Sequence, residues 1–205
     1  MSMASEPFPG NATTDWSGGW LRAARRCESS HFGPRPAQTD VDLIVVHAIS
    51  LPPGEYGGDQ VEQFFAHRLD WLAHPYFEHL RGLRVSAHFF IRRDGALLQF
   101  VDADARAWHA GASSWRGREQ CNDHSIGIEL EGLEGDRFES AQYARLAHLC
   151  NSLRQRYPIA HVVGHEHIAP GRKHDPGAGF DWPLLQRLLG WPSECVAPGT
   201  SAGSG

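Results

Sequence analysis

The segment Val41-Asp42-Leu43-Ile44-Val45-Val46-His47-Ala48-Ile49 decides the fold of this chain. It is rich in β-branched residues and almost continuously apolar, which is typical of a strand buried inside a sheet. The residues that follow, Leu51-Pro52-Pro53-Gly54, force a loop. The segment therefore predicts a core strand that places a histidine, His47, near its end.

Hydrophobic periodicity extends this strand into a mixed architecture. Two apolar runs, residues 87–93 and 96–102, flank Asp94-Gly95, a dipeptide that suits a tight hairpin turn with positive φ. A further strand is predicted at residues 125–130, a short strand or extended run at 159–163, and helices at residues 60–71, 140–157 and 182–189. Strands mixed with helices, including one hairpin, predict an α/β fold: a single domain with a central mixed β-sheet flanked by helices.

The composition is that of one globular domain. The chain has 205 residues, 41% of them hydrophobic, which is enough for a sizeable core. The first 15 residues are polar with Pro and Gly, and residues 197–205 are rich in Gly and Ser. We therefore expect a mobile N-terminal segment at residues 1–15, a domain at residues 16–192 and a mobile C-terminal tail at residues 193–205.

Charge and hydropathy exclude several kinds of partner. The formal net charge of -5 gives no support for nucleic-acid binding, which favours a basic face. No stretch approaches the roughly 20 apolar residues of a membrane span. Residues 1–15 lack the basic and apolar regions of a secretory signal. We expect a cytoplasmic protein with no nucleic-acid and no membrane partner.

The cysteines give no sign of a metal ribbon or a redox motif. Cys27, Cys121, Cys150 and Cys195 form no CxxC pair. A cytosolic chain of this size does not need disulfides, so we expect free and mostly packed thiols.

A second informative stretch is Val162-Val163-Gly164-His165-Glu166-His167-Ile168-Ala169-Pro170-Gly171-Arg172-Lys173-His174-Asp175-Pro176-Gly177. It places His165, Lys173 and Asp175 in one loop that leaves a short apolar run. Histidine and aspartate are good zinc ligands, and His47 ends another apolar run. Two histidines and one carboxylate would leave the fourth tetrahedral position open, as hydrolytic zinc sites require.

Each of these candidate ligands also has a structural interpretation. His47 and His165 could be core histidines with satisfied ring nitrogens. Asp175 could belong to an Asp-Pro turn. His167 and His174 are competing candidates in the same loop.

Two acidic residues compete for the role of general base. Glu129 and Glu131 stand two residues apart in the predicted strand at 125–130 and just beyond it, so they share one face. A carboxylate in a buried strand is costly unless it is paired or functional. Burial raises its pKa, which suits a general base. Spacing alone leaves open which of the two is functional and which is structural.

Eight ordered motifs between about Trp20 and Trp182 resemble a known family. They are Val45-Val46-His47, Ser50-Leu51-Pro52-Pro53-Gly54-Glu55, Arg84-Val85-Ser86-Ala87-His88, Arg92-Arg93-Asp94-Gly95, Ala107-Trp108-His109-Ala110-Gly111, Cys121-Asn122-Asp123, Ser125-Ile126-Gly127-Ile128-Glu129-Leu130-Glu131-Gly132 and the loop of residues 164–177. The family is that of the zinc amidases, which includes AmpD-type N-acetylmuramyl-L-alanine amidases and peptidoglycan recognition proteins. The match is close to the AmpD-type branch.

The resemblance implies the fold of peptidoglycan amidases and recognition proteins, with one Zn²⁺ per chain on His47, His165 and Asp175. It implies Glu129 as the catalytic acid/base and Lys173 as the charge that stabilises the transition state. The implied reaction is hydrolysis of the amide between the lactyl group of 1,6-anhydro-N-acetylmuramic acid and L-alanine of the stem peptide. The implied setting is recycling of cell-wall fragments, with a small muropeptide as substrate. We expect a monomer.

Five residues are candidates for substrate binding: Arg84, Trp108, His109, Leu130 and Ala169. The flat rings of Trp108 and His109 suit the apolar face of a sugar. Arg84 suits bidentate contact with a substrate carboxylate, although a structural ion pair fits it nearly as well.

Two residues depart from the AmpD-type pattern. Gln120 stands where an arginine often precedes the Cys-Asn-Asp motif, and Ala48 stands where an asparagine usually follows the zinc histidine. These changes bear on how tightly the sugar or the peptide is held, and not on the hydrolysis itself.

Three other functions compete with this one. A non-catalytic peptidoglycan-binding module loses a zinc ligand, whereas this chain keeps a complete candidate set. An exported amidase acting on intact murein is disfavoured because residues 1–15 contain no signal. An unrelated zinc protease or nuclease is disfavoured because there is no His-Glu-x-x-His motif and the composition is acidic.

Overall fold

The structure is a computed structural model, and it describes residues 15–197. Its strands, β1 to β12, are Trp16–Ser17, Trp20–Leu21, Arg25–Arg26, Phe32–Gly33, Leu43–Ile49, Phe89–Ile91, Leu97–Gln99, Arg106–Ala107, Ser114–Trp115, Arg118–Glu119, Ser125–Glu131 and His161–Gly164. The helices, α1 to α4, are Gln60–Phe65, Ser140–Arg156, His165–Ile168 and Trp182–Leu189. Short 3₁₀ helices cover Pro75–Leu80, Cys121–Asp123 and Ser193–Cys195.

Six of the strands form one mixed sheet in the order β12-β5-β11-β6-β7-β3. The four strands from β12 to β6 are parallel, β6 and β7 form an antiparallel hairpin, and β3 joins β7 in parallel. The prediction of a mixed central sheet is confirmed. The two longest strands, β5 and β11, lie side by side in its centre, where apolar neighbours cover them.

Helices cover both faces of this sheet. Phe89 and Ile91 of β6 point into a core cluster built with α2 and α4, and Phe90, between them, points into a second cluster with α1. This alternation is the period of two that a strand imposes on its side chains. The second face, which carries α1, is the one on which the candidate site lies.

The predicted hairpin, core strands and long helices are confirmed with small shifts of their ends. Gly95 adopts φ +84° in the turn between β6 and β7, which favours glycine there. The helix predicted at 60–71 is shorter than expected and ends at Phe65. His67 then takes a positive φ of 56°, which a helix does not accommodate. Within residues 15–197, no helix has the length and apolar character needed to cross a membrane.

The C-terminal boundary of the domain lies further along the chain than the sequence suggests. Val196 and Ala197 are buried, and the Ala197 amide donates to the carbonyl of Val162 in β12. Residues 193–197, predicted as tail, therefore pack on the edge of the sheet. The rest of that tail, residues 198–205, and residues 1–14 of the N-terminal segment lie outside the described residues.

All four cysteines are free, and three of them are buried.

Shortening a side chain should destabilise the protein strongly in the centre of the sheet and only slightly at the protein surface. Ile128→Ala removes a fully buried side chain from β11, and such truncations cost about 2–5 kcal/mol of unfolding free energy through lost burial and a residual cavity. Leu188→Ala on α4, where the side chain is 45% exposed, should stay within about 0.5 kcal/mol. Urea titration of both variants checks this, and equal stabilities would contradict the assignment of β11 to the core.

Candidate functional site

Parallel pairing brings the predicted site residues to one edge of the sheet. In the register of β5 and β11, His47 lies directly opposite Glu129, so the two side chains leave the same face. His165 begins α3 immediately after β12, whose last residue, Gly164, pairs with Val46. Side chains at the carboxyl ends of neighbouring parallel strands share one crevice, the usual place for a site in such folds.

His47, His165 and Asp175 converge on one point. Nδ1 of His47 lies 3.0 Å from Nδ1 of His165, and each of these nitrogens lies 3.2 Å from Oδ2 of Asp175. Among residues 15–197, this is the group of histidine, cysteine and acidic side chains with the spacing of a metal site. The ligand atoms of tetrahedral zinc, with bonds of about 2.0–2.2 Å, lie roughly 3.3 Å apart, so the three atoms fit such an ion.

The donor set also has the right chemistry. Nε2 of His165 lies 3.2 Å from the carbonyl oxygen of Ala110. Because a carbonyl only accepts, this nitrogen carries the proton of the neutral ring, and Nδ1 keeps its lone pair for a metal. Nε2 of His47 lies 2.9 Å from Nδ1 of His109, so this ring is also held from behind.

Burial and neighbouring charges keep the cluster in a metal-binding protonation state. Burial, together with the nearby His165 ring, lowers the pKa of His47 to about 4, so its imidazole is neutral at pH 7. Burial alone would raise the pKa of Asp175, but the neighbouring His165 and His47 side chains hold it well below its usual range. The cluster therefore offers a neutral nitrogen of His47 and the charged carboxylate of Asp175.

Glu129 and Glu131, which spacing could not separate, have different surroundings. Glu131 accepts hydrogen bonds from the backbone amides of Gly57 and Arg93, so it ties two loops to the end of β11. Glu129 is 8% exposed, and its Oε2 has no hydrogen-bond partner. Burial, reinforced by the Asp175 carboxylate, raises the pKa of Glu129 well above its ordinary value, while Lys173 acts in the opposite direction. Only Glu129 has the environment of a proton acceptor.

The loop after α3 carries Lys173 and Asp175 to this edge. The carbonyl of Ala169 accepts the amides of Arg172 and Lys173, and the carbonyl of Asp175 accepts the amide of Glu166. His167, a competing ligand candidate, instead accepts the Gly164 amide through Nδ1 and does not belong to the cluster. His174 lines the cleft without joining the cluster.

A cleft of about 490 Å³ opens over the cluster. Glu129 and Lys173 line it together with the three candidate ligands, and Trp108 and His109 form part of its wall. Its other side is apolar and includes Phe64, Phe65, Tyr76, Leu80 and Val85. The structure thus brings both predicted catalytic residues, all three predicted ligands and two predicted substrate residues into one space.

The other three substrate candidates lie outside the lining of the cleft. Leu130 alternates with Glu129 along β11, so its side chain is fully buried in the core on the opposite face. Ala169 is 5% exposed, and its carbonyl is occupied within the loop. Arg84 is exposed, with its guanidinium carbon 5.4 Å from the centre of the Trp108 ring.

The two departures from the family pattern occupy different places. Ala48 lines the cleft while packing partly against the core. Gln120 takes a left-handed conformation with φ 57° before the 3₁₀ helix Cys121–Asp123 and does not line the cleft. The change at Ala48 is therefore the one that faces the space where a substrate would lie.

Asn122 and Arg172 stabilise the loop behind the site, a role that the sequence pattern does not predict. Oδ1 of Asn122 accepts the backbone amides of both His109 and Ala110. Arg172 donates to the carbonyls of Ala110 and Ala112. The partners of Asn122 lie 12 and 13 residues away in the sequence and are set by the fold, so no local pattern identifies this anchor.

The chain is similar to known proteins over most of its length. The family model described as N-acetylmuramoyl-L-alanine amidase matches residues 37–178. The 1,6-anhydro-N-acetylmuramyl-L-alanine amidase AmpD of Citrobacter freundii is 52% identical over 173 residues, which are 83% of this chain and 92% of that protein.

The chain is also similar to solved structures. The crystal structure of a selenomethionine derivative of AmpD superposes with a TM-score of 0.82 at 52% identity, covering 84% of this chain and 98% of that one. The amidase AmiD of Escherichia coli, in complex with anhydro-N-acetylmuramic acid-L-Ala-D-γ-Glu-L-Lys, superposes with a TM-score of 0.55 at 29% identity, covering 75% and 60%. The chain is a member of the N-acetylmuramoyl-L-alanine amidase family.

Proposed function

We propose that this enzyme uses one zinc ion to hydrolyse the amide between the lactyl group of 1,6-anhydro-N-acetylmuramic acid and L-alanine of the stem peptide. The main support for this proposal is that His47, His165 and Asp175 converge beside a buried Glu129 with an unpaired oxygen, in one cleft. The substrate follows from the relatives, since AmpD is named for this reaction and AmiD holds such a muropeptide. The role is recycling of peptidoglycan fragments.

The three ligand atoms would hold the zinc ion, which when bound acts as a Lewis acid that polarises a carbonyl and activates water. Glu129 is the general base and accepts a proton from the attacking water. Lys173 lies on the cleft wall and faces the negative charge that develops on the amide oxygen. Glu129 then returns its proton to the alanine nitrogen, which leaves as a free amine.

The remaining roles are assigned by position in the cleft. Trp108 offers its ring to the apolar face of the sugar, and the apolar wall at Phe64 and Tyr76 accommodates the less polar part of the muropeptide. A monomer suffices, because every residue in this scheme comes from one chain. The cytoplasmic location remains a prediction.

Hydrolysis of this amide predicts a defined product. Incubation of the as-purified enzyme with an anhydro-muropeptide should release free stem peptide, because hydrolysis separates it from the lactyl group. Chelation should stop the release, and added zinc should restore it, as mass spectrometry of the products would show. Intact substrate under all three conditions, with binding retained, would identify a binding module instead.

The proposed ligand set predicts that the loss of Asp175 affects both zinc binding and turnover. Asp175→Ala should lower zinc content and abolish turnover, because the site loses its one anionic ligand. Asp40→Ala, at an exposed aspartate remote from the cluster, is the matched control and should retain both. Metal analysis after dialysis is the measurement. Full zinc occupancy and full activity in Asp175→Ala would reject the assignment.

The pH dependence of activity should show whether Lys173 acts on Glu129 or is a passive surface lysine. A base must be unprotonated to act, so kcat/KM falls as the pH decreases through the pKa of Glu129. Lys173 lowers that pKa, so Lys173→Met should raise it and move the acid limb to higher pH. Loss of the charge should also reduce kcat by about 10²–10³, the usual effect of removing one transition-state donor.

Lys173→Arg is the control for this prediction, because it keeps the positive charge. Its acid limb should stay near that of the unmodified enzyme. The same acid limb in Lys173→Met as in the unmodified enzyme would show that Lys173 does not act on Glu129.

A further inference from the structure

We propose that His109 is a positioning residue that fixes the tautomer of His47, so that Nδ1 of His47 is unprotonated and directed at the metal. The inference rests on the proposed metal site and assigns His109 a role other than the substrate contact expected from its sequence. It is carried by a chain of hydrogen bonds whose direction can be read from one end to the other.

The direction is set at a backbone carbonyl. Oγ of Ser125 lies 2.6 Å from the carbonyl oxygen of Cys121, which can only accept, so the single hydroxyl proton of Ser125 is used there. Nε2 of His109 lies 3.2 Å from the same Oγ and must therefore donate to it. With its proton on Nε2, the neutral ring of His109 presents a lone pair at Nδ1.

That lone pair determines the state of His47. Nδ1 of His109 lies 2.9 Å from Nε2 of His47, and this contact is a hydrogen bond only if His47 donates. His47 then carries its proton on Nε2 and leaves Nδ1 free, 3.2 Å from Oδ2 of Asp175. Such partners behind a metal-bound histidine typically fix the ring and its tautomer.

The ring of His109 has little freedom to move. A Cβ added to Gly127 would lie 2.4 Å from Cγ of His109, so the ring rests directly on the backbone of β11. Ser125, Gly127 and Glu129 share this face of the strand, at intervals of two residues. One face of β11 thus supplies the hydrogen-bond acceptor, the space for the ring and the proposed base.

The backbone of the same loop orients the second histidine. Asn122 fixes the loop by accepting the amides of His109 and Ala110, and the Ala110 carbonyl faces Nε2 of His165. Arg172 donates to the same carbonyl at 2.8 Å. The loop at residues 109–110 therefore holds both histidines from behind, one through a side chain and one through a carbonyl.

Zinc affinity tests the role of His109 independently of turnover. His109→Leu removes the acceptor, and chelator competition should show about 10- to 100-fold weaker zinc binding. His109→Asn keeps an acceptor oxygen near the position of Nδ1 and should retain most of the affinity. Gly127→Ala should lose affinity as His109→Leu does, because the ring is displaced. His161→Leu changes a half-buried histidine at the amino end of β12, away from the ligand atoms, and is the control.

The tautomers can be read directly in the zinc-loaded enzyme. Long-range ¹H–¹⁵N spectra should show His109 neutral with its proton on Nε2, and cobalt substitution should show an altered d–d absorption in His109→Leu. The ¹H–¹⁵N spectra are recorded on the unmodified protein, so they remain decisive if a variant fails to fold.

The outcomes separate this inference from the proposed function. Zinc binding that is unchanged in His109→Leu, or a proton found on Nδ1 of His109, would overturn the positioning role while leaving the metal site intact. An unmodified enzyme that binds no zinc would instead overturn the proposed function, and with it this inference.

Discussion

Parallel pairing of β5 with both β11 and β12 is the constraint on which the site depends. It aligns the carboxyl ends of three strands, so His47, Glu129 and the start of α3 with His165 meet at one edge. The period of two along each strand then decides which face a side chain leaves. A slip of one residue between β5 and β11 would turn the two site residues to opposite faces. The apolar runs that build the core therefore also position the chemistry.

This edge concentrates buried polar groups, which are costly without partners. Most of them have partners, and the partners are specific: His47 meets His109, and His165 meets a carbonyl. The stabilising burial comes from the opposite face of the same strands, where Ile126 and Ile128 are fully buried. A strand that is apolar on one face and functional on the other allows the site to be buried without weakening the sheet.

The sequence predicted what local periodicity controls and missed what tertiary hydrogen bonds decide. Apolar runs identified β5 and β11, and Asp94-Gly95 identified the hairpin. Leu130 is an exception: it was expected at the substrate, although alternation along β11, a local pattern, sends its side chain into the core. The packing of residues 193–197 depends on a backbone bond to Val162, and the ring of His109 on contacts with Ser125 and Gly127. No pattern in a single sequence records such distant partners.

The two carboxylates of the cleft illustrate how one site keeps two identical groups in different states. Asp175 lies 3.2 Å from the Nδ1 atoms of two histidines, and these neighbours hold its pKa low. Glu129 is buried with an unpaired oxygen, and burial together with the negative charge of Asp175 raises its pKa. Environments that push two pKa values apart commonly mark a permanently charged group and an acid/base. The charged group is therefore the one suited to a metal, and the unpaired one is suited to carry the proton between water and the leaving nitrogen.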